Sequence, residues 1–66
     1  MLTGRRIDEL GLGGRCHNAL VDHGIIFLDE LVRLSEDDLM RVPNIGRLLC
    51  AEIRAALDAR GLRLTA

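Results

Sequence analysis

The stretch Val42-Pro43-Asn44-Ile45-Gly46 constrains this chain more than any other. Pro43 disfavours the α region at Val42, Asn44 tolerates left-handed backbone better than other residues with a side chain, and Gly46 demands no side-chain clearance. Three kinds of backbone permissiveness within four positions predict a hairpin. Leu39-Met40-Arg41 precedes it, and Arg47 to Arg60 follows without an internal breaker, so the unit reads as helix, hairpin, helix. A glycine that opens a helix leaves backbone N–H groups bare at the positive end of the dipole, a ready seat for phosphate.

The rest of the sequence supplies short helices around this unit. Met1 to Arg6 reads as a flexible polar leading segment, ahead of one helical domain over residues 7–66. Ile7 to Leu10 suits a single turn, and Gly11 to Gly14 holds three glycines in four residues, a change of direction. From Arg15 to His23 the apolar Cys16, Ala19 and Leu20 recur at helical spacing, with Gly24 at the C′ position. The opposite face carries Arg15, Asn18 and Asp22. Ile25 to Leu34 predicts a second helix that sets Phe27, Leu28, Leu31 and Leu34 on the core, with Asp29 and Arg33 as an i, i+4 ion pair. Ser35 is a natural N-cap for a third helix, with Glu36, Asp37 and Asp38 in its first turn. The last helix closes at Gly61, with Leu62 placed for the apolar contact of a Schellman cap. With no strand pattern, the fold class is all-α: a compact bundle of four to five short helices with one helix-hairpin-helix element.

The spacing Leu39-x-x-Val42-Pro43-Asn44-Ile45-Gly46-x-x-x-Cys50-x-x-Ile53 resembles the helix-hairpin-helix of DNA-binding proteins, with Asn44 where glycine is usual. More narrowly, Leu31 to Ile53 and the upstream Arg15-x-x-Asn18-x-Leu20 resemble the C-terminal domain of the bacterial RNA polymerase alpha subunit. The likeness runs from Ile7 to Leu64, and two separated motifs keep both their residues and the distance between them. It implies a SAM-like, non-catalytic module of transcription that contacts A·T-rich upstream promoter DNA through the minor groove and the backbone. The matching arginine, Arg15, would enter the minor groove and Asn18 would support it. A narrow A-tract groove concentrates negative potential and attracts arginine. Gly46 would offer an N–H to phosphate, Arg47 would add charge beside it, and Glu52 matches a DNA-facing position. Ser35, Glu36, Asp37 and Asp38 match a segment that faces activators, and Glu9 matches part of a surface that faces sigma factor. Gly11 departs from an acidic residue found near that second surface.

Each of these residues also has a plain structural reading. Arg15 in a first turn opposes the helix dipole and is otherwise a solvated arginine, and acids in a first turn suit that dipole with or without a partner. A tight helix reversal asks for glycine at Gly46 whether or not DNA is present, and the residues alone leave those two readings even.

Charge argues for a local patch over a basic surface. The net charge is −1, where dedicated nucleic-acid binders show a basic excess, and all nine cationic residues are arginine. After the hairpin glycine the family typically has two lysines and a serine; this sequence has Arg47-Leu48-Leu49. On a helical wheel Leu48 falls near Glu52 and Ala55, away from Ile53 and Leu57, and so outside the core, while a slight rotation buries Leu49. The alternative function is therefore a protein-interaction or self-association module whose DNA face has become apolar through Leu48 and Leu49.

Other classes fit poorly. In 66 residues a single core rarely supplies more than ~3–5 kcal/mol, and with Phe27 as the one aromatic that core must be aliphatic. Cys16 and Cys50 fall short of a disulfide framework, and with no leader pattern or long apolar run they point to a reducing cytoplasm, with no membrane span. Cys16, His17, His23 and Cys50 lack metal-ligand spacing, and Cys50 stands where helix-hairpin-helix proteins often use alanine for close helix crossing. Neither cysteine has a His and Asn/Asp set for nucleophilic catalysis. No cofactor and no enzymatic activity are expected.

Overall fold

The computed structural model describes residues 4–65. Among them a 3-10 turn, Ile7–Leu10, precedes four α-helices: α1 (Gly14–Asp22), α2 (Leu28–Leu31), α3 (Glu36–Met40) and α4 (Arg47–Asp58). The architecture is all-α. The leading segment is pinned at its last two residues: Arg6 forms an isolated antiparallel bridge with Phe27, and the Leu28 N–H donates to the Arg5 carbonyl at 2.8 Å. Met1 to Thr3 of the segment expected to be flexible lie outside the described residues.

That bridge explains why α2 is shorter than its apolar pattern predicts. Phe27 is held extended (φ −106°, ψ 149°) beside Arg6, so no helix can pass through it. The Glu30 carboxylate then accepts the N–H groups of both Ile26 (3.1 Å) and Phe27 (3.0 Å), which closes the N-terminus of α2. Phe27 is left 38% exposed at the rim, not on the core as its spacing suggested. The expected Asp29–Arg33 ion pair does not form among the described residues, because α2 ends before it reaches Arg33.

The other helix ends follow local chemistry. α1 ends in a Schellman turn: Gly24 takes φ +84°, its N–H donates to Val21, and the Ile25 N–H donates to Leu20, which buries Ile25. Gly61 (φ +71°) closes α4 in the same way, with the Leu62 N–H on the Leu57 carbonyl at 2.9 Å. The capping turn takes over there, so α4 is regular to Asp58 and not to Arg60. α3 opens on a capping box in which the Ser35 hydroxyl accepts the Asp38 N–H and the Asp38 carboxylate accepts the Ser35 N–H, both at 3.1 Å.

The core is aliphatic. Cys16, Ala19 and Leu20 of α1 and Cys50, Ile53 and Leu57 of α4 are buried with Ile7, Leu28, Leu31 and Leu39, and no polar or charged residue is buried among them. Val42 and Ile45 are buried on either side of exposed Pro43 and Asn44, so two apolar pegs seat the hairpin while its tip faces solvent. The tail returns to the bundle through Thr65, whose N–H donates to Leu34 and whose hydroxyl donates to Val32, each at 2.9 Å.

Candidate nucleic-acid interface

The hairpin tip is a turn in which the Ile45 N–H donates to the Val42 carbonyl at 3.1 Å. Pro43 occupies its second position and Asn44, with φ +71°, its third. Proline followed by positive φ is the type II arrangement, so the demand for a permissive residue falls on Asn44. Gly46 is different. It is the N-cap of α4 in extended backbone (φ −102°, ψ −170°), and a Cβ built there meets nothing within 4 Å. The helix reversal does not require Gly46 to be glycine. No side chain caps α4, and its first turn holds exposed Arg47 and no acid.

α1 approaches this end of the molecule. Gly13, its N-cap (φ −61°, ψ 156°), donates its N–H to Glu52 Oε2 of α4 at 2.8 Å. At the other end of α1, Ala19, Asp22 and His23 line a cavity of about 70 Å³ with Pro43 and Asn44. Asp22 shares a helical stripe with Arg15 and Asn18, so the stripe singled out in α1 runs alongside the hairpin and the first half of α4. Both Arg15 and Asn18 are exposed, and Arg15 forms no ion pair among the described residues. Arg15, Asn18, Gly46 and Arg47 are thereby carried by two adjoining elements and are all open to solvent.

The two leucines separate. Leu48 is 88% exposed, one turn before Glu52, whereas Leu49 is half-buried and packs on the core. The acidic residues also divide. Asp38 is spent on the α3 cap, and the Ser35 N–H holds its carboxyl below the usual range. Glu36 pairs with Arg54 of α4 at 2.9 Å, and Asp37 is exposed. Glu36 and Asp37 line a groove of about 540 Å³ with Arg54 and Asp58 of α4 and Arg63 of the tail. Glu9, on the 3-10 turn, binds Arg5 at 2.7 Å, which lowers its carboxyl, and its carbonyl accepts from Arg60. Arg54, Arg60 and Gly13 carry no signal in the sequence, because each acts across 18 residues or more or through backbone alone.

Cys16 and Cys50 are free and buried, and burial pushes the Cys16 thiol up to about 11, with Glu52 and Cys50 adding to the rise. Among the described residues no cluster of His, Cys, Asp and Glu has the grouping to hold a metal ion. Nor is any described helix long and apolar enough to cross a membrane.

A family model described as the C-terminal domain of the bacterial RNA polymerase alpha chain matches residues 2–59. This protein belongs to that family. The match takes in α1, the hairpin and α4, and so every residue of the candidate interface, as well as the acidic turn of α3. Membership makes this a transcription module of the alpha C-terminal domain type, from a DNA-binding family whose role in the polymerase is non-catalytic.

Proposed function

We propose that this alpha C-terminal domain binds A·T-rich promoter DNA, with Arg15 in the minor groove, Asn18 supporting it, and the Gly46 N–H and Arg47 on an adjacent phosphate. Gly46 carries the reading. Its backbone angles suit any residue and no neighbour crowds it, so beyond a modest N-cap preference the fold does not ask for glycine, and the bare N–H is open to an outside ligand. A phosphate approaching the uncapped end of α4 uses that bareness directly. The exposed acids Glu36 and Asp37, with Asp38 beside them, and Glu9 on the 3-10 turn are the docking points for activators and sigma factor. Glu9 meets its partner with Arg5 already on its carboxylate.

The decisive experiment is a fluorescence-anisotropy titration against A·T-rich and G·C-rich duplexes over a range of salt. The expected result is a preference for A·T and a shallow salt dependence, with a slope of log K against log salt of about −1 to −2, since Arg47 neutralises one phosphate and Arg15 in the groove displaces at most one further counterion. Absence of binding at low salt overturns the reading. So does binding that Arg15→Ala leaves unchanged, where a loss of about 1–3 kcal/mol is expected.

A second reading is favoured by one observation: Leu48 stands 88% exposed in the first turn of α4, where a phosphate contact would otherwise be. Under it the same face docks a protein partner or a second copy through Leu48, with Leu49 at its edge. Sedimentation separates the two readings, because self-association that Leu48→Lys abolishes belongs to the second alone.

A further inference from the structure

We infer that Glu52 is a positioning residue for Arg15, acting through the Gly13 N–H and not through DNA. The inference rests on the DNA-binding reading above and assigns Glu52 its part in it.

α1 begins poorly on its own. Gly13 and Gly14 stand directly before Arg15, the most flexible pair that could be placed there. Neither is demanded by its backbone angles; a Cβ at Gly14 meets nothing within 4 Å, and one at Gly13 meets Glu52 Oε2 at 3.4 Å, an ordinary van der Waals contact. The first turn has no acid and the N-cap has no side chain. In a capping box the residue at the third helical position reaches back to the N-cap N–H. That residue here is Cys16, which is buried in the core. Glu52 performs the task from another helix, its Oε2 accepting the Gly13 N–H at 2.8 Å across 39 residues of sequence. The bond is charge-assisted, and it sets a carboxylate at the positive end of α1, against which Arg15 is otherwise unfavourably placed. The rise of the Cys16 thiol toward about 11, to which Glu52 contributes, agrees with a carboxylate lying over that turn.

The turn that carries Arg15 is thus clamped to α4, the helix that carries Gly46 and Arg47, so both halves of the interface keep one register. The N-terminus of α1 is also filled by the protein's own carboxylate, which leaves α4 as the open anion seat and Arg15 to act by its side chain. Glu52 makes no ion pair with Arg15 among the described residues, so the guanidinium stays free.

The test is a set of mutant cycles read by anisotropy with an A·T-rich duplex at low salt, with melting curves on every variant. Glu52→Ala deletes the acceptor, while Glu52→Gln keeps an acceptor without the charge. Gly13→Pro deletes the donor at a φ of −61°, an angle proline accepts, and its ring also displaces Glu52 Oε2 from its place 2.8 Å from that nitrogen. Glu52→Ala and Gly13→Pro should each weaken binding on the order of 3- to 10-fold, as loss of a cap would. Combined, they should weaken it no further than either alone, and Glu52→Gln should keep most of the affinity. In an Arg15→Ala background the Glu52 effect on binding should vanish while its effect on melting persists, whereas a merely structural Glu52 would weaken the residual binding in that background as well. Gly13→Pro that binds like wild type while Glu52→Ala does not would overturn the inference, since Glu52 would then touch DNA itself. An undiminished Glu52 effect without Arg15 would overturn it too. Wild-type protein that binds no duplex would instead remove the DNA reading, and this inference with it. Arg15-dependent binding indifferent to Glu52 would remove the inference alone.

Discussion

At the scale of single residues, Asn44 and Gly46 stand two positions apart and do opposite things. Asn44 carries the strain of the turn at φ +71°, a region that costs an ordinary side chain roughly 1–2 kcal/mol. Gly46 carries none. Asn44→Val should therefore lower the free energy of unfolding in urea by about 1–2 kcal/mol. Gly46→Ala should stay within about 0.5 kcal/mol of wild type, because the poorer N-cap is offset by a less flexible unfolded state. The same Gly46→Ala should weaken duplex binding in the anisotropy titration, since its methyl stands between the backbone and an approaching phosphate. Leu48 and Leu49 make a parallel contrast. Leu48→Lys, at a position 88% exposed, should leave stability within about 0.5 kcal/mol and steepen the salt dependence of DNA binding by about one counterion. Leu49→Lys should lower the melting temperature, because it sends a charge against the core.

At the scale of elements, α2 and α3 are too short to persist by helix propensity and depend on carboxylates at their starts. The N–H groups of Phe27 and Ile26 hold the Glu30 carboxyl below its ordinary 4.5, and the Ser35 N–H holds Asp38 below its ordinary 3.8. A carboxyl whose folded pKa is depressed stabilises the fold fully above its unfolded value, and the contribution fades as pH falls through the folded value. Melting temperature should thus be level from neutral pH down to about 4.5 and decline below it. The Glu30→Gln, Asp38→Asn double variant should melt lower at neutral pH and show a shallower acid decline. A wild-type melting temperature that rises on acidification would contradict this account of both caps. These elements also show what was legible beforehand. The Ser35 cap and the Gly24 and Gly61 stops were readable because each signal and its partner lie within five residues. The short α2 was not, because the residue that pulls Phe27 into extended backbone is Arg6, 21 positions away.

At the scale of the whole molecule, stability comes from one aliphatic core that buries no polar or charged residue among those described, so few interactions stand in reserve. Ile53 is fully buried at the middle of α4, and Ile53→Ala should cost about 2–5 kcal/mol, comparable to the ~3–5 kcal/mol that a core of this size supplies. Calorimetry on that variant should show no cooperative transition at ordinary temperatures; a sharp one would mean that the core is less continuous than its burial indicates. The apolar stripes of α1 and α4, the Ser35 cap, the Gly24 and Gly61 stops, the positive φ at Asn44 and the exposure of Leu48 were determined by sequence alone, because backbone preference and the angle between neighbouring side chains act over a few residues. Tertiary structure decided that Phe27 stays at the rim, that Gly46 is not required by its turn, and that Glu52 closes a helix 39 residues upstream. Those outcomes depend on how close two distant segments come and which donor is left without a partner, and that is set only when the helices pack.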